Sequence, residues 1–517
     1  MNIYIRTNFN NKIGLGHIKR TLRIAKEFKS RGHNCIFYID QNNPNIIIPF
    51  KKIQIYPKNR KYVNEIQDAK FFINKLPEKN LGIIVLDDYR LSITWEKYVS
   101  SFKHKIVVFD DLENKKHYAD IIINYNPKNY PINKYNFKNN QKKNCQFLIN
   151  PKYNVISNEK VTSKVKKKIF NITLYIGGGN NLNITYNLIK EILKNIKDKK
   201  INIVIIIGIL AKGYEKIVNI SKKNKQLKCL IKPTDLSDII KNSKIFIGSS
   251  GTSIFETAFY KIPSILVKLT NNQDTKIFSL EKLGHYFFIN KKEFLSSKKL
   301  TEFILLIYQN YNKFKLFNKN PEIKIDNKGC KRIVDQIFSK KKIITKNIQI
   351  KNKVFRKENL TIKPINDKDI NHYLHCRNLE INKRNSSNKR EIHSLDHYIW
   401  WFRNNRKSYV LLRNKEKVLY FYEEKIFKHN DDYYNLSGWF ACSKNCSIKE
   451  ILFALKWQRM KYKKNVKWIS FIKKTNKLSI LMSKYIGWIK LNSSDEIIKK
   501  ITNEYGINKN DYIFYKR

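Results

Sequence analysis

Several stretches of this chain place reactive side chains or open backbone just past short apolar runs. Gly14-Leu15-Gly16-His17 follows the run Ile3 to Ile5 and opens an amphipathic stretch. Glycines there let backbone approach an anion, and a helix start offers free N–H groups and the positive end of its dipole. His17 at that mouth would have its charged form disfavoured, leaving a neutral imidazole able to accept a proton. On spacing alone a capping or packing histidine is an equal account, because a short Gly-x-Gly is a weak motif.

Asp87-Asp88-Tyr89 follows the run Ile83 to Leu86, and Asp110-Asp111 follows Lys105 to Phe109. Acidic groups at strand carboxyl ends can orient a base, an amide or a hydroxyl, although turn and N-cap duty also explains them. Asp88 and Tyr89 are the candidates to act beside His17. Gly177-Gly178-Gly179-Asn180 and Ser249-Ser250-Gly251-Thr252 lead from strand to helix, the form in which backbone N–H groups bind a diphosphate. Glu256, one helical turn past Thr252, could reach ribose hydroxyls. Asn272 and Gln273, in Asn271-Asn272-Gln273-Asp274, carry amides suited to sugar hydroxyl or acetamido groups. Tight turns with N-capping Ser, Thr and Asn are the plain alternative. The chain contains no Ser-His-Asp order, His-Glu-x-x-His helix or Walker loop.

Seven cysteines, at 35, 145, 229, 330, 376, 442 and 446, form no Cys-x-x-Cys pair, as suits reduced thiols in a cytoplasm. Cys442 and Cys446 lie four apart without a second ligand pair, so no metal site is expected.

The elements that would hold these groups recur as strand, turn and helix. Residues 1–155 read as Ile3 to Ile5, a helix from His17 to Arg31, then strands at Cys35 to Ile39, Ile83 to Leu86, Lys105 to Phe109 and Ile121 to Asn124. Residues 156–338 restart the pattern with strands Ile172 to Ile176, Ile201 to Ile207, Ile245 to Gly248 and Ser264 to Leu269, and a helix Ser253 to Tyr260. Such recurrence implies parallel βαβ units with ligands at strand carboxyl ends, hence two Rossmann-like α/β halves with a cleft between them. Residues 339–359, rich in Lys and Asn, read as a basic linker. Residues 360–517 read as an α+β domain, with a helix Ile370 to Arg377, an aromatic cluster from His397 to Phe402, strands Ser408 to Arg413 and Val418 to Phe427, a helix Ile448 to Tyr462 and a strand Trp468 to Ile472.

The chain has 517 residues, 103 of them Lys or Arg and 42 Asp or Glu, for a formal charge of +61. With 42% hydrophobic and 13% aromatic residues it is no disordered polycation. Lys is spread through nearly every segment beside abundant Asn and Ile, the types favoured by A/T-rich codons. Genome composition therefore accounts for the surplus better than a nucleic-acid partner, which stays as the rival reading. The start has no apolar core of signal-peptide length and no run approaches the ~20 residues of a membrane span, so a soluble cytoplasmic protein is expected.

Together, Gly14-Leu15-Gly16-His17-Ile18-Lys19-Arg20, Asp87-Asp88-Tyr89, Phe109-Asp110-Asp111-Leu112, Ala119-Asp120, Gly177-Gly178, Gly248 to Glu256 and Asn272-Gln273 resemble the UDP-sugar hydrolase family of pseudaminic acid biosynthesis, over about residues 1 to 335. The resemblance implies a GT-B-type arrangement and hydrolysis of UDP-2,4-diacetamido-2,4,6-trideoxy-β-L-altropyranose, or a close UDP-amino-sugar, without a cofactor. It makes His17 the general base, gives UDP to Ser250, Gly251, Thr252 and Glu256 beside the Gly177-Gly178 loop, and gives the sugar to Tyr89 and Asn272. Gly179-Asn180-Asn181 departs from the family's usual Ser-Asp-Pro. A glycosyltransferase using the same cleft is the rival within enzymes. The last domain resembles a GNAT-type N-acetyltransferase through Cys376-Arg377-Asn378, Arg384, Ser386, His397, Trp401-Phe402, Asn476-Lys477-Leu478 and Gly487-Trp488. That implies acetyl-CoA as co-substrate, with Asn476 near it. Ser443 to Glu450 lacks the glycines of the usual pyrophosphate loop, so either Lys444 to Lys449 still present backbone N–H groups or the activity has been lost.

Overall fold

The structure, a computed structural model, describes the chain outside residues 10–14, 41–46, 57–61, 63, 78–81, 131–134, 158–168, 177–181, 197, 199, 210, 234–235, 250, 269–277, 340–358, 387–388, 430–431, 462–465 and 493. Two compact units emerge, Met1–Ile350 and Lys351–Arg517. Nearly all of the expected linker 339–359 lies outside the described residues.

The first unit contains two parallel sheets. The first is built from β1 (Asn2–Thr7), β2 (Asn34–Ile39), β3 (Lys51–Gln54), β4 (Ile83–Asp87), β5 (Lys105–Phe109), β6 (Ile121–Asn124) and β7 (Gln146–Ile149), in the order β3-β2-β1-β4-β5-β6-β7. Strand order reverses between β1 and β4, which pair from Ile3↔Ile83 to Thr7↔Asp87. A crevice forms where the two following connections diverge, outside the carboxyl ends of these strands. Helix α1 (Gly16–Ser30) follows β1 and buries His17, Ile18, Arg20, Thr21, Ile24, Ala25 and Phe28, the spacing of one helical face.

The second sheet comprises β8 (Phe170–Tyr175), β9 (Ile201–Ile207), β10 (Leu227–Ile231), β11 (Ile245–Ser249), β12 (Ser264–Lys268) and β13 (Phe287–Asn290), in the order β10-β9-β8-β11-β12-β13. Its reversal lies between β8 and β11, which end at Tyr175 and Ser249; residues 177–181 and Ser250 lie outside the described residues, whereas Gly251 and Thr252 do not. Helix α2 (Ser253–Phe259) follows β11, and α3 (Gly329–Phe338) closes the unit. Ile333, Val334 and Ile337 of α3 share one core cluster with Ile24 and Phe28 of α1 and with Ile254 and Phe255 of α2. This shared burial joins the two halves.

The second unit is a mixed sheet of β14 (Leu360–Pro364), β15 (Lys407–Arg413), β16 (Glu416–His429), β17 (Asp432–Ala441), β18 (Val466–Lys473), β19 (Ile489–Lys490) and β20 (Tyr512–Lys516), ordered β14-β15-β16-β17-β18-β20-β19. Only β17 and β18 pair in parallel. Their register stops at Leu436↔Ile469 although the strands continue to Ala441 and Lys473. Helix α4 (Ile370–Arg377) packs Tyr373 and Cys376 against Tyr420 and Phe440. The expected aromatic cluster lies on the helix Ser394–Arg403, where His397 and Trp400 stack on Tyr373. Among the described residues no helix is long and apolar enough to cross a membrane.

Candidate active site

Side-chain alternation decides what gathers at the first switch point. Ile3, Ile5, Ile83 and Val85 point into the cluster under α1, whereas Tyr4, Ile84 and Leu86 point into the opposite layer. By the same period of two, Asp87 falls under α1 and Asp88 does not.

His17 Nδ1 lies 2.5 Å from Asp87 Oδ1. One helical turn on, Arg20 clamps the same carboxylate, Nε to Oδ2 at 2.8 Å and Nη2 to Oδ1 at 2.6 Å. Its Nη1 donates to Asp111 Oδ2 at 2.7 Å and to the Tyr125 hydroxyl at 3.0 Å. Tyr89 donates to Asp111 Oδ2 at 3.0 Å, and its ring meets His17 edge to face with centroids 4.2 Å apart. The circuit His17, Asp87, Arg20, Asp111, Tyr89 is closed on itself and largely buried.

Burial works against an imidazolium here, but the Asp87 carboxylate outweighs it and holds the His17 pKa above the usual 6.5. The helix dipole was expected to keep His17 neutral; the carboxylate under the ring is the stronger influence, being nearer and fully charged. Despite its own burial, Asp87 is held well below the carboxylate range by Arg20 and His17. Burial and the neighbouring Asp111 push the Tyr89 phenol far up, so it acts as a neutral hydrogen-bonding group. With Asp87 holding Nδ1, Nε2 is the nitrogen left to exchange protons.

Asp88 belongs elsewhere. Its carboxylate takes two bonds from the Arg90 guanidinium, at 3.0 and 2.6 Å, and a third from the Arg90 backbone N–H at 3.0 Å, and stands 3.8 Å from Arg6, in a buried network with Asp40 and Asp68. Asp87 and Asp111, expected only as acidic groups able to orient a base, thus join the site in place of Asp88, and Arg20 joins it with no role expected for it. A shallow, solvent-open depression adjoins Tyr89 and Asp111, lined also by Asp110, Lys115 and His117.

The second half reaches this site through α1. A methyl group built on Gly16 would stand 3.8 Å from Thr252 Cγ2, so the helix start and the loop after β11 are in van der Waals range. Arg23, two turns along α1 from Gly16, pairs with the buried Glu256 of α2 and donates to Val155 O at 2.9 Å. Glu256 is thus already engaged. Gly251 and Thr252 stand at the start of α2. Gly14, Gly177, Gly178, Ser250, Asn272 and Gln273 lie outside the described residues. In the other unit, Asn476 caps the helix Lys477–Tyr485, its side chain accepting from Ser479 N at 3.2 Å.

A family model, the glycosyltransferase family 28 C-terminal domain, matches residues 172–337, the second half of the first unit. An uncharacterised protein of Methanocaldococcus jannaschii is 25% identical over 280 residues, 52% of this chain and 55% of that protein. The chain thus spans about half the length of that relative. The UDP-2,4-diacetamido-2,4,6-trideoxy-β-L-altropyranose hydrolase of Campylobacter jejuni is 23% identical over 296 residues, covering 55% of this chain and 98% of that enzyme. A spore coat polysaccharide biosynthesis protein of Bacillus subtilis is 21% identical over 332 residues, 62% of this chain and 93% of that protein.

Proposed function

We propose that the first unit hydrolyses a UDP-amino-sugar of the 2,4-diacetamido-2,4,6-trideoxy-β-L-altropyranose type, releasing UDP and the free sugar with inversion. The observation that carries the reading is the His17–Asp87 pair at the first switch point, within reach of the start of α2 through Gly16 and Thr252. The similarity to the Campylobacter enzyme supports the choice of substrate. In the reaction, water attacks the anomeric carbon, the bond from that carbon to the diphosphate oxygen breaks, and His17 Nε2 takes the water proton. Asp87 fixes the tautomer and steadies the imidazolium that forms. Backbone N–H groups at Ser250, Gly251 and Thr252 and the N-terminus of α1 hold the diphosphate, and Tyr89 and Asn272 hold the sugar. UDP leaves readily, so positioning and charge neutralisation supply much of the acceleration.

Incubating the purified protein with that sugar nucleotide in water tests the reading. UDP release without an acceptor supports it, and release only when a sugar or lipid acceptor is added favours the glycosyltransferase reading that the family 28 match keeps open. For the second unit we propose acetyl-CoA-dependent acetylation of the 4-amino precursor. The support is the mixed sheet in which β17 and β18 part after Leu436 and Ile469, beside a shallow, solvent-open depression lined by Ser437, Gln458, Trp468, Trp488 and Arg517. Free-thiol release from acetyl-CoA upon adding the amino-sugar substrate checks it.

A further inference from the structure

Cys442 lacks a second ligand pair nearby in sequence, but the fold supplies one. His372 and Cys376 sit four apart on α4, hence on one helical face, and that face meets Cys442 just past the end of β17. The ligand atoms of His372, Cys376 and Cys442 all lie within 4.8 Å of one another. Cys376 Sγ is 3.5 Å from His372 Nδ1 and 3.9 Å from its Nε2. For Zn–S of about 2.3 Å and Zn–N of about 2.1 Å at a tetrahedral angle, the sulfur–nitrogen separation is roughly 3.6 Å, and the 3.9 Å to Nε2, the nitrogen that Tyr420 leaves free, needs only a modestly wider angle. The geometry points to a zinc site in which His372, Cys376 and Cys442 hold one Zn²⁺ and solvent takes the fourth position.

Two features pre-organise it. The buried Asn382 donates to Cys376 O at 2.6 Å and to Ala441 O at 2.7 Å, and accepts from Ala441 N at 3.1 Å. One amide therefore ties the backbones that carry both thiols. The buried Tyr420 hydroxyl lies 2.9 Å from His372 Nδ1, the outer-sphere contact that orients an imidazole bound through Nε2. Cys376 is fully buried, while His372 and Cys442 are half-exposed and leave a path for the ion. Two thiolates and an imidazole are soft donors and select Zn²⁺ over Mg²⁺ or Ca²⁺. The site is independent of the reaction assigned to the first unit.

The test uses the full chain without an affinity tag, stripped by chelator and kept reduced. One equivalent of Zn²⁺ is expected by competition with a chromophoric chelator. Co²⁺ should give the thiolate charge-transfer band and intense visible bands of a tetrahedral site. Cys376→Ser with Cys442→Ser should abolish both, Tyr420→Phe should weaken affinity roughly 10–100-fold, and Cys229→Ser, in the other unit, should change nothing. Near-ultraviolet circular dichroism monitors folding; if the double variant unfolds, His372→Gln and Tyr420→Phe decide. No stoichiometric zinc, or zinc retained by the variants, overturns the site. So does a Cys376–Cys442 disulfide in protein isolated without reductant together with no cobalt spectrum, which would make the pair a redox couple instead.

Discussion

Asp87 and Asp88 are consecutive residues whose carboxylates serve opposite faces of the first sheet: Asp87 meets His17 and Arg20 under α1, and Asp88 meets Arg90 and Arg6 in the other layer. One step along a strand moves a side chain from one layer to the other. On the proposed reading the pair separates proton chemistry from structural charge compensation, and substitutions at the two positions should have different signatures.

His17→Phe removes the proposed base while keeping a ring of similar size over Tyr89. UDP release from the sugar nucleotide should fall about 10²–10⁴-fold, the usual worth of a positioned general base. Initial rates of UDP formation measure it, and an undiminished rate removes His17 from the chemistry.

The pH dependence follows from Asp87. A base must be unprotonated, and the His17 pKa is raised above 6.5 because Asp87 outweighs the burial that disfavours the imidazolium. The rate constant kcat/KM should therefore climb as pH rises through a value above 6.5. Asp87→Asn removes the raising charge, so the acid limb should move to lower pH while the plateau drops, the tautomer no longer being held. Asp88→Asn should leave the limb where it is. Equal displacement in both variants would contradict the assignment.

The strands that position the site were legible because each is a run of Ile, Val or Phe bounded by turn residues; Lys105–Phe109, Ile121–Asn124 and Ile201–Ile207 have the expected limits. Edge strands carry weaker signals. Lys51–Gln54 is polar at three of its four positions and Leu227–Ile231 has Lys and Cys within it, and neither stood out. In the second unit β17 was hidden by Ser437 and Gly438, although Gly438 is there because a Cβ would stand 2.3 Å from the Tyr422 hydroxyl across the strand pair. Within the site, choosing Asp87 over Asp88 needed only the parity of Ile83 and Val85. Arg20 was harder to see, because a buried cation is intelligible only once its two carboxylates are in place. Nor could any local spacing announce a cluster whose members are 66 positions apart, as Cys376 and Cys442 are.

Asp88→Asn should instead register in stability. Arg6 is fully buried and keeps Asp68 and Asp40, so the loss is partial, about 1–3 kcal/mol for a charged bond weakened in a buried network. Urea unfolding followed by tryptophan fluorescence reads it through Trp95, which donates to Asp68 at 2.9 Å. No change in midpoint would mean that Arg90 and Arg6 do not depend on this carboxylate.

His117 supplies a second pH signature, in stability. It is buried, which lowers its pKa, but Glu96 at 2.7 Å and the charge of Asp110, 3.8 Å away, push it up to about 9. A folded-state pKa above the unfolded one stabilises the protein fully below the unfolded value of about 6.5, and the gain is lost as pH rises through about 9. The contribution is on the order of 1–3 kcal/mol. Melting temperature should fall between these limits more steeply in the wild type than in His117→Gln; parallel curves would show that the imidazole is neutral in the fold.

The junction of the two halves depends on a close approach at Gly329. A Cβ there would stand 1.8 Å from Asn154 O, an overlap with backbone that no rotamer change relieves. Gly329→Ala must push the start of α3 off the turn Pro151–Tyr153 and so loosen Ile333 and Val334 from α1. The expected loss is about 3 kcal/mol, the upper part of the range for overpacking. Gly32 is the contrasting position: its φ is +80° but nothing lies within 4 Å of a built Cβ, so Gly32→Ala carries only the left-handed strain, about 1–2 kcal/mol. Urea midpoints of the two variants rank the effects. Because α1 also carries His17, Gly329→Ala should slow UDP release as well, whereas Gly32→Ala, beyond the far end of the helix, should not.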